Sequence, residues 1–116
     1  MRSYSKRVAA VAAVALGLAC DESLIGTGPT ADAYVTTGSN YFSPTTVTIR
    51  AGQAVLWAFG SGTHNVLFDA VAGAPANCSL TSAGTCRREF PTPGSYGFIC
   101  GPHASAGMAG TVVVNP

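Results

Sequence analysis

The chain has 116 residues, enough for one domain and too few for two. Six basic residues stand against five acidic ones and only 9% of the residues are charged, which leaves no basic patch for nucleic acid and little long-range steering of a partner. Arg2, Lys6 and Arg7 lie at the very start, so the remainder carries Arg50, Arg87 and Arg88 against Asp21, Glu22, Asp32, Asp69 and Glu89 and is weakly acidic.

Behind the basic start, residues 8–19 are an unbroken run of Val, Ala, Leu and Gly. The run is too short to span a bilayer and sits where the apolar segment of a secretory signal belongs. Residues 1–20 are therefore expected to be a signal peptide outside the fold. Cys20 ends the run after Gly17, Leu18 and Ala19. This resembles a bacterial lipoprotein signal, which would lipidate Cys20 and anchor the protein by lipid rather than by a spanning helix. Gly17 and Ala19 also suit an ordinary signal peptidase, which would leave Cys20 unlipidated. The expected location is outside the cytoplasm, in the periplasm or on the outer leaflet of the cytoplasmic membrane.

Residues 21–33 are rich in Gly, Thr, Ser and acidic residues and are expected to form a flexible tether. From residue 34 onward, short β-rich runs are broken by turn residues. Residues 45–50 alternate Val47 and Ile49 with polar neighbours, and residues 51–53 turn the chain. Residues 54–59 predict a strand with Val55, Trp57 and Phe59 on one face. Residues 60–63 are a loop. Residues 64–69 place His64, Val66 and Phe68 on one side and Asn65, Leu67 and Asp69 on the other. Residues 70–86 are expected to be a long loop, and residues 87–90 a short strand. A turn at residues 92–94 leads into residues 95–100, with Tyr96, Phe98 and Cys100 on one face. Residues 110–115 close the domain as a strand.

No stretch after the leader has an apolar stripe of helical period, so the expected fold is an all-β sandwich over residues 34–116. A domain of about eighty to ninety residues buries only a modest core. Trp57, Phe59, Phe68, Phe90, Tyr96 and Phe98 are its expected aromatic members. A disulfide and a bound metal would add stability.

Export implies an oxidising compartment. Cys20 belongs to the processing site. Cys78 and Cys86 close a short loop and are expected to form a local disulfide. That leaves Cys100 without a partner.

Cys100 opens the pattern Cys100-x2-His103-x4-Met108 at the end of a predicted strand. His64 opens an earlier one. The chain's two histidines, its unpaired cysteine and one of its two methionines thus form one candidate ligand set. A thiolate and two imidazoles bind copper in a near-trigonal plane, with a thioether as a long axial contact, the arrangement of electron-transfer copper. Thiolate and thioether suit Cu(I) and imidazole suits Cu(II), so such a site changes oxidation state with little movement. Singly, His64 would pass for a core histidine, Cys100 for a small buried hydrophobe and Met108 for core filler. At this joint spacing they point to one copper ion.

Asn40-Tyr41-Phe42-Ser43-Pro44, His64-Asn65-Val66, Gly94-Ser95-Tyr96, Cys100-x2-His103-x4-Met108 and the final Gly-Thr-Val-Val-Val resemble the plastocyanin/azurin type of blue-copper protein in the cupredoxin superfamily. The resemblance covers about residues 34–116. It implies a cupredoxin-like antiparallel Greek-key β-sandwich with copper near one end, held by His64, Cys100, His103 and Met108. It also implies that Asn65 braces the ligand loop from beside Cys100. The chain departs from the plant-type branch in a shorter segment between His64 and Cys100, which carries the Cys78 and Cys86 pair. It also lacks that branch's clustered docking acids.

A closed set of four protein ligands leaves no vacancy for a substrate, so an electron carrier is expected rather than an enzyme. Electrons would pass through the edge of His103, within a loop of small uncharged residues, to transient protein partners. A monomer is expected. A copper carrier or store of the cell envelope would use the same ligands. A metal-free adhesive sandwich would not need His64 or Cys100.

Overall fold

The computed structural model describes residues 30–116; the leader, Cys20 and most of the expected tether lie outside them. Among the described residues, nine strands form two sheets, and no helix is long and apolar enough to cross a membrane. In chain order they are β1 (Ala33–Thr37), β2 (Phe42–Ser43), β3 (Thr46–Arg50), β4 (Gln53–Ala58), β5 (His64–Phe68), β6 (Cys78–Thr81), β7 (Thr85–Phe90), β8 (Gly94–Ile99) and β9 (Ala109–Asn115). A 3₁₀ segment, Gly101–Ala106, lies between β8 and β9. One sheet has the order β3-β9-β8-β5-β6, the other β2-β1-β4-β7.

Alternation decides which sheet face is buried. In β3, Val47 and Ile49 are buried and their neighbours exposed, as period-two patterning requires. β4 is central and buried on both faces. Val55 and Trp57 point into the core, while Ala54 and Leu56 are buried on the outer face, where Leu56 lies between Tyr34 of β1 and Arg87 of β7 in register.

Most pairings are antiparallel, but two are parallel: β9 beside β3, with Val112 opposite Val47, and β1 beside β4, with Val35 opposite Trp57. Parallel neighbours need a crossover between them. Here the chain leaves β1, passes through β3 in the other sheet, and returns through the turn at Ala51 and Gly52 before β4 begins.

The segment 70–86, expected to be a loop, contains β6 and the start of β7. These consecutive strands belong to different sheets and carry the chain from the edge of one to the edge of the other. Little in Cys78–Thr81 has intrinsic strand preference. β6 forms because β5 offers it a partner, with Val66 opposite Cys78, and because Cys78 is bonded to Cys86 on β7. The disulfide therefore closes the sandwich along one edge.

The core is aromatic. Trp57 meets Phe68 and Phe98 edge-on at centroid distances of 5.5 and 5.3 Å, and Phe42 meets Phe98 at 4.9 Å. Each such pair contributes about 0.5–1.5 kcal/mol beyond simple burial. The same core continues to Cys100 and Met108, both fully buried, where β8 ends and β9 begins.

Candidate metal centre

Three of the residues singled out from the sequence, His64, Cys100 and His103, come together where β5 starts and β8 stops. His64 is the first residue of β5 and is fully buried. Its Nε2–H donates to the Ser61 carbonyl, so the tautomer is set and Nδ1 is left with a free lone pair. That Nδ1 lies 3.6 Å from the Sγ of Cys100. Cys100 follows β8 on the same face as Tyr96 and Phe98, is fully buried, and is the free cysteine among the described residues. The Nδ1 of His103 lies 3.4 Å from the same sulfur. The two imidazole centroids are 5.0 Å apart.

All three donor atoms lie within 4.8 Å of one another. Two donors about 2.0–2.3 Å from a shared ion, and roughly tetrahedral or trigonal about it, are separated by distances of this size. A thiolate with two imidazoles also has the donor chemistry of a copper site. His64, Cys100 and His103 are thus positioned to bind a single metal ion.

The loop joining Cys100 to Met108 is closed by its own backbone. The Cys100 N–H donates to the Met108 carbonyl at 3.0 Å, the His103 N–H to the Cys100 carbonyl at 3.2 Å, and the Met108 N–H to the His103 carbonyl at 3.3 Å. Met108 is fully buried at the foot of β9. Gly107 ends the 3₁₀ turn in the left-handed region at φ +84°, and Pro102 stands at its start. Pro near the first position and Gly just past the end are the sequence marks of such a turn. They were present in a segment expected to be irregular loop.

Asn65 alternates to the opposite face from His64, and its Oδ1 accepts the Gly101 N–H at 2.7 Å. His103 is half-buried, while Gly101, Pro102, Ala104, Ser105, Ala106 and Gly107 around it are exposed. One functional contact had no sequence signal: the Ser61 carbonyl on His64 is a backbone group, whose position depends on how the loop 60–63 packs.

Residues 29–115 match the family model for copper binding proteins of the plastocyanin/azurin family. The chain is 36% identical over 115 residues to the chloroplastic plastocyanin of Tetradesmus obliquus, an alignment covering 90% of this chain and 75% of that one. Among solved structures, it resembles the oxidised plastocyanin of Dryopteris crassirhizoma at 35% identity and a TM-score of 0.63, covering 71% of this chain and 99% of the other. It also resembles the amicyanin of Paracoccus versutus at 26% identity and a TM-score of 0.64, covering 77% and 86%.

Proposed function

The chain belongs to the plastocyanin/azurin family of copper-binding proteins, and from that premise we propose that it is an exported blue-copper protein that shuttles single electrons between protein partners. The observation that carries the reading is the contrast within the donor set: His64 and Cys100 are sealed in the core, while His103 alone of the three is half-exposed.

Copper supplies the one-electron chemistry when bound, with thiolate and thioether suiting Cu(I) and imidazole suiting Cu(II). The chain supplies rigidity. His64 is carried on a strand, Cys100 and Met108 are joined by a backbone hydrogen bond, and all three lie in the packed core. Met108, buried at the end of the same loop, would supply the thioether as a fourth donor. Four protein donors leave no open position, so the role is not enzymatic.

Partners reach the His103 edge through the rim of small uncharged residues, and the encounter is transient, as redox contacts of small area are. The protein acts as a monomer. The leader sequence supports export, and Cys20 is the site for a lipid anchor that keeps the domain beside the membrane.

The test is an optical spectrum of the copper-loaded domain beside Cys100→Ser. A strong visible thiolate-to-copper band, absent from the variant and bleached reversibly by a mild reductant, is the expected result. A colourless protein that yields its copper at once to a chelator would replace this function with copper carriage.

A further inference from the structure

His64, at the metal centre, and Thr37 are both buried polar side chains. Thr37 ends β1 in the four-stranded sheet, whereas His64 opens β5 in the five-stranded one. The Thr37 Oγ1 accepts the N–H of Gly60 at 2.8 Å. The preceding residue, Phe59, donates its N–H to the Gly84 carbonyl at 2.9 Å. Gly60 packs against β1 so closely that a Cβ there would stand 3.0 Å from the Thr37 carbonyl oxygen. The start of the 60–63 loop is therefore held on β1 by a buried hydroxyl.

One residue later comes the Ser61 carbonyl, which receives the Nε2–H of His64. The loop is short and fixed at both ends, by Gly60 on Thr37 and by His64 in β5. With its ends fixed, the direction of the Ser61 carbonyl follows. We propose that Thr37 is a positioning residue of the metal centre. Its hydroxyl holds Gly60 so that the Ser61 carbonyl stays on His64 Nε2, which keeps Nδ1 as the lone pair facing Cys100.

The physical consequence is electronic as well as geometric. A carbonyl on the far nitrogen fixes the ring and raises the basicity of the ligating nitrogen. A more basic imidazole favours the Cu(II) form. Without the Thr37 hydroxyl, the Gly60 N–H loses its partner and the loop relaxes. His64 then binds as a weaker donor and the balance moves toward Cu(I). The inference rests on His64 being a copper ligand, as proposed above.

The test compares Thr37→Val, which keeps the shape and removes the hydroxyl, with Thr37→Ser, which restores it. Thr36→Val is the control, because its exposed hydroxyl on the same strand bonds the Ser43 carbonyl instead. Two readouts are taken: exchange of the His64 Nε2 proton in the apoprotein by nitrogen-resolved NMR, and the reduction potential of the copper-loaded protein. In Thr37→Val the proton is expected to exchange about tenfold faster, the loss of roughly one hydrogen bond. The potential should rise by about 59 mV, a tenfold tilt toward Cu(I) for a one-electron couple. Thr37→Ser and Thr36→Val should match the wild type.

Wild-type exchange and potential in Thr37→Val would overturn the proposal, as would equal shifts in Thr36→Val. If Thr37→Val does not fold, Gly60→Ala lifts the loop by a second route, and the same two readouts decide. A wild-type protein with no visible copper band would sink the blue-copper reading itself, while proton exchange in the apoprotein still decides the role of Thr37.

Discussion

The side-chain oxygen of Asn65 takes the hydrogen bond that a longer β-ladder would have given Gly101. The β5–β8 register pairs Leu67 with Ile99, and two further residues along it would set Asn65 opposite Gly101. At that point the chain has already left β8 for the 3₁₀ turn. The amide group bridges the gap, so the strand carrying His64 and the loop carrying Cys100, His103 and Met108 are held together by one side chain.

Asn65→Leu keeps the size and removes the acceptor. Stability of the apoprotein should fall by about 0.5–1.5 kcal/mol, the net worth of one hydrogen bond. Copper should also be lost faster to a competing chelator. Urea unfolding and chelator kinetics on the same variant check both. Unaltered chelator kinetics would mean that Asn65 does not brace the ligand loop.

Ala104 is exposed on the rim beside His103. Ala104→Glu places a charge and extra bulk where a partner must approach closely. Transfer to a physiological partner should slow while the visible band keeps its position and intensity. Stopped-flow kinetics with that partner, alongside the spectrum, make the comparison. Unchanged rates would move the docking surface elsewhere.

Cys78 and Cys86 close an eight-residue separation and tie β6 to β7 across the edge of the sandwich. Replacing both with Ala should lower the unfolding free energy by about 2–3 kcal/mol, from loss of the constraint on the unfolded chain. The visible copper band should survive, because Cys100 is not part of the bridge. Denaturant unfolding and the spectrum together separate the two effects.

Phe98 is almost fully buried, touches Phe42, Phe68 and Trp57, and stands two residues before Cys100. Phe98→Ala should cost about 3–5 kcal/mol by opening a cavity in the core. The loss should be larger than for Phe68→Ala at a half-buried position. Paired urea titrations rank the two.

Much of the site was legible in the linear sequence because donor chemistry is a property of residue type. Two histidines, one unpaired cysteine and a methionine at fixed spacing restricted the metal to copper before any fold was known. Strand alternation likewise placed Val47, Ile49, Val55, Trp57, Tyr96 and Phe98 inside, since a pleated strand repeats every two residues. What only the tertiary structure decided are contacts between distant segments. β6 exists because β5 and the disulfide hold it, not because its own residues prefer a strand. The parallel pairs of β3 with β9 and β1 with β4 come from the path of the chain between sheets. The Thr37 hydroxyl reaches Gly60 across 23 residues, and Asn65 reaches Gly101 across 36. Local preference carries no information over such separations, because a backbone N–H or carbonyl is the same group in every residue. Residue types alone therefore determined which atoms could hold the metal. Packing of the two sheets decided how those atoms are aimed.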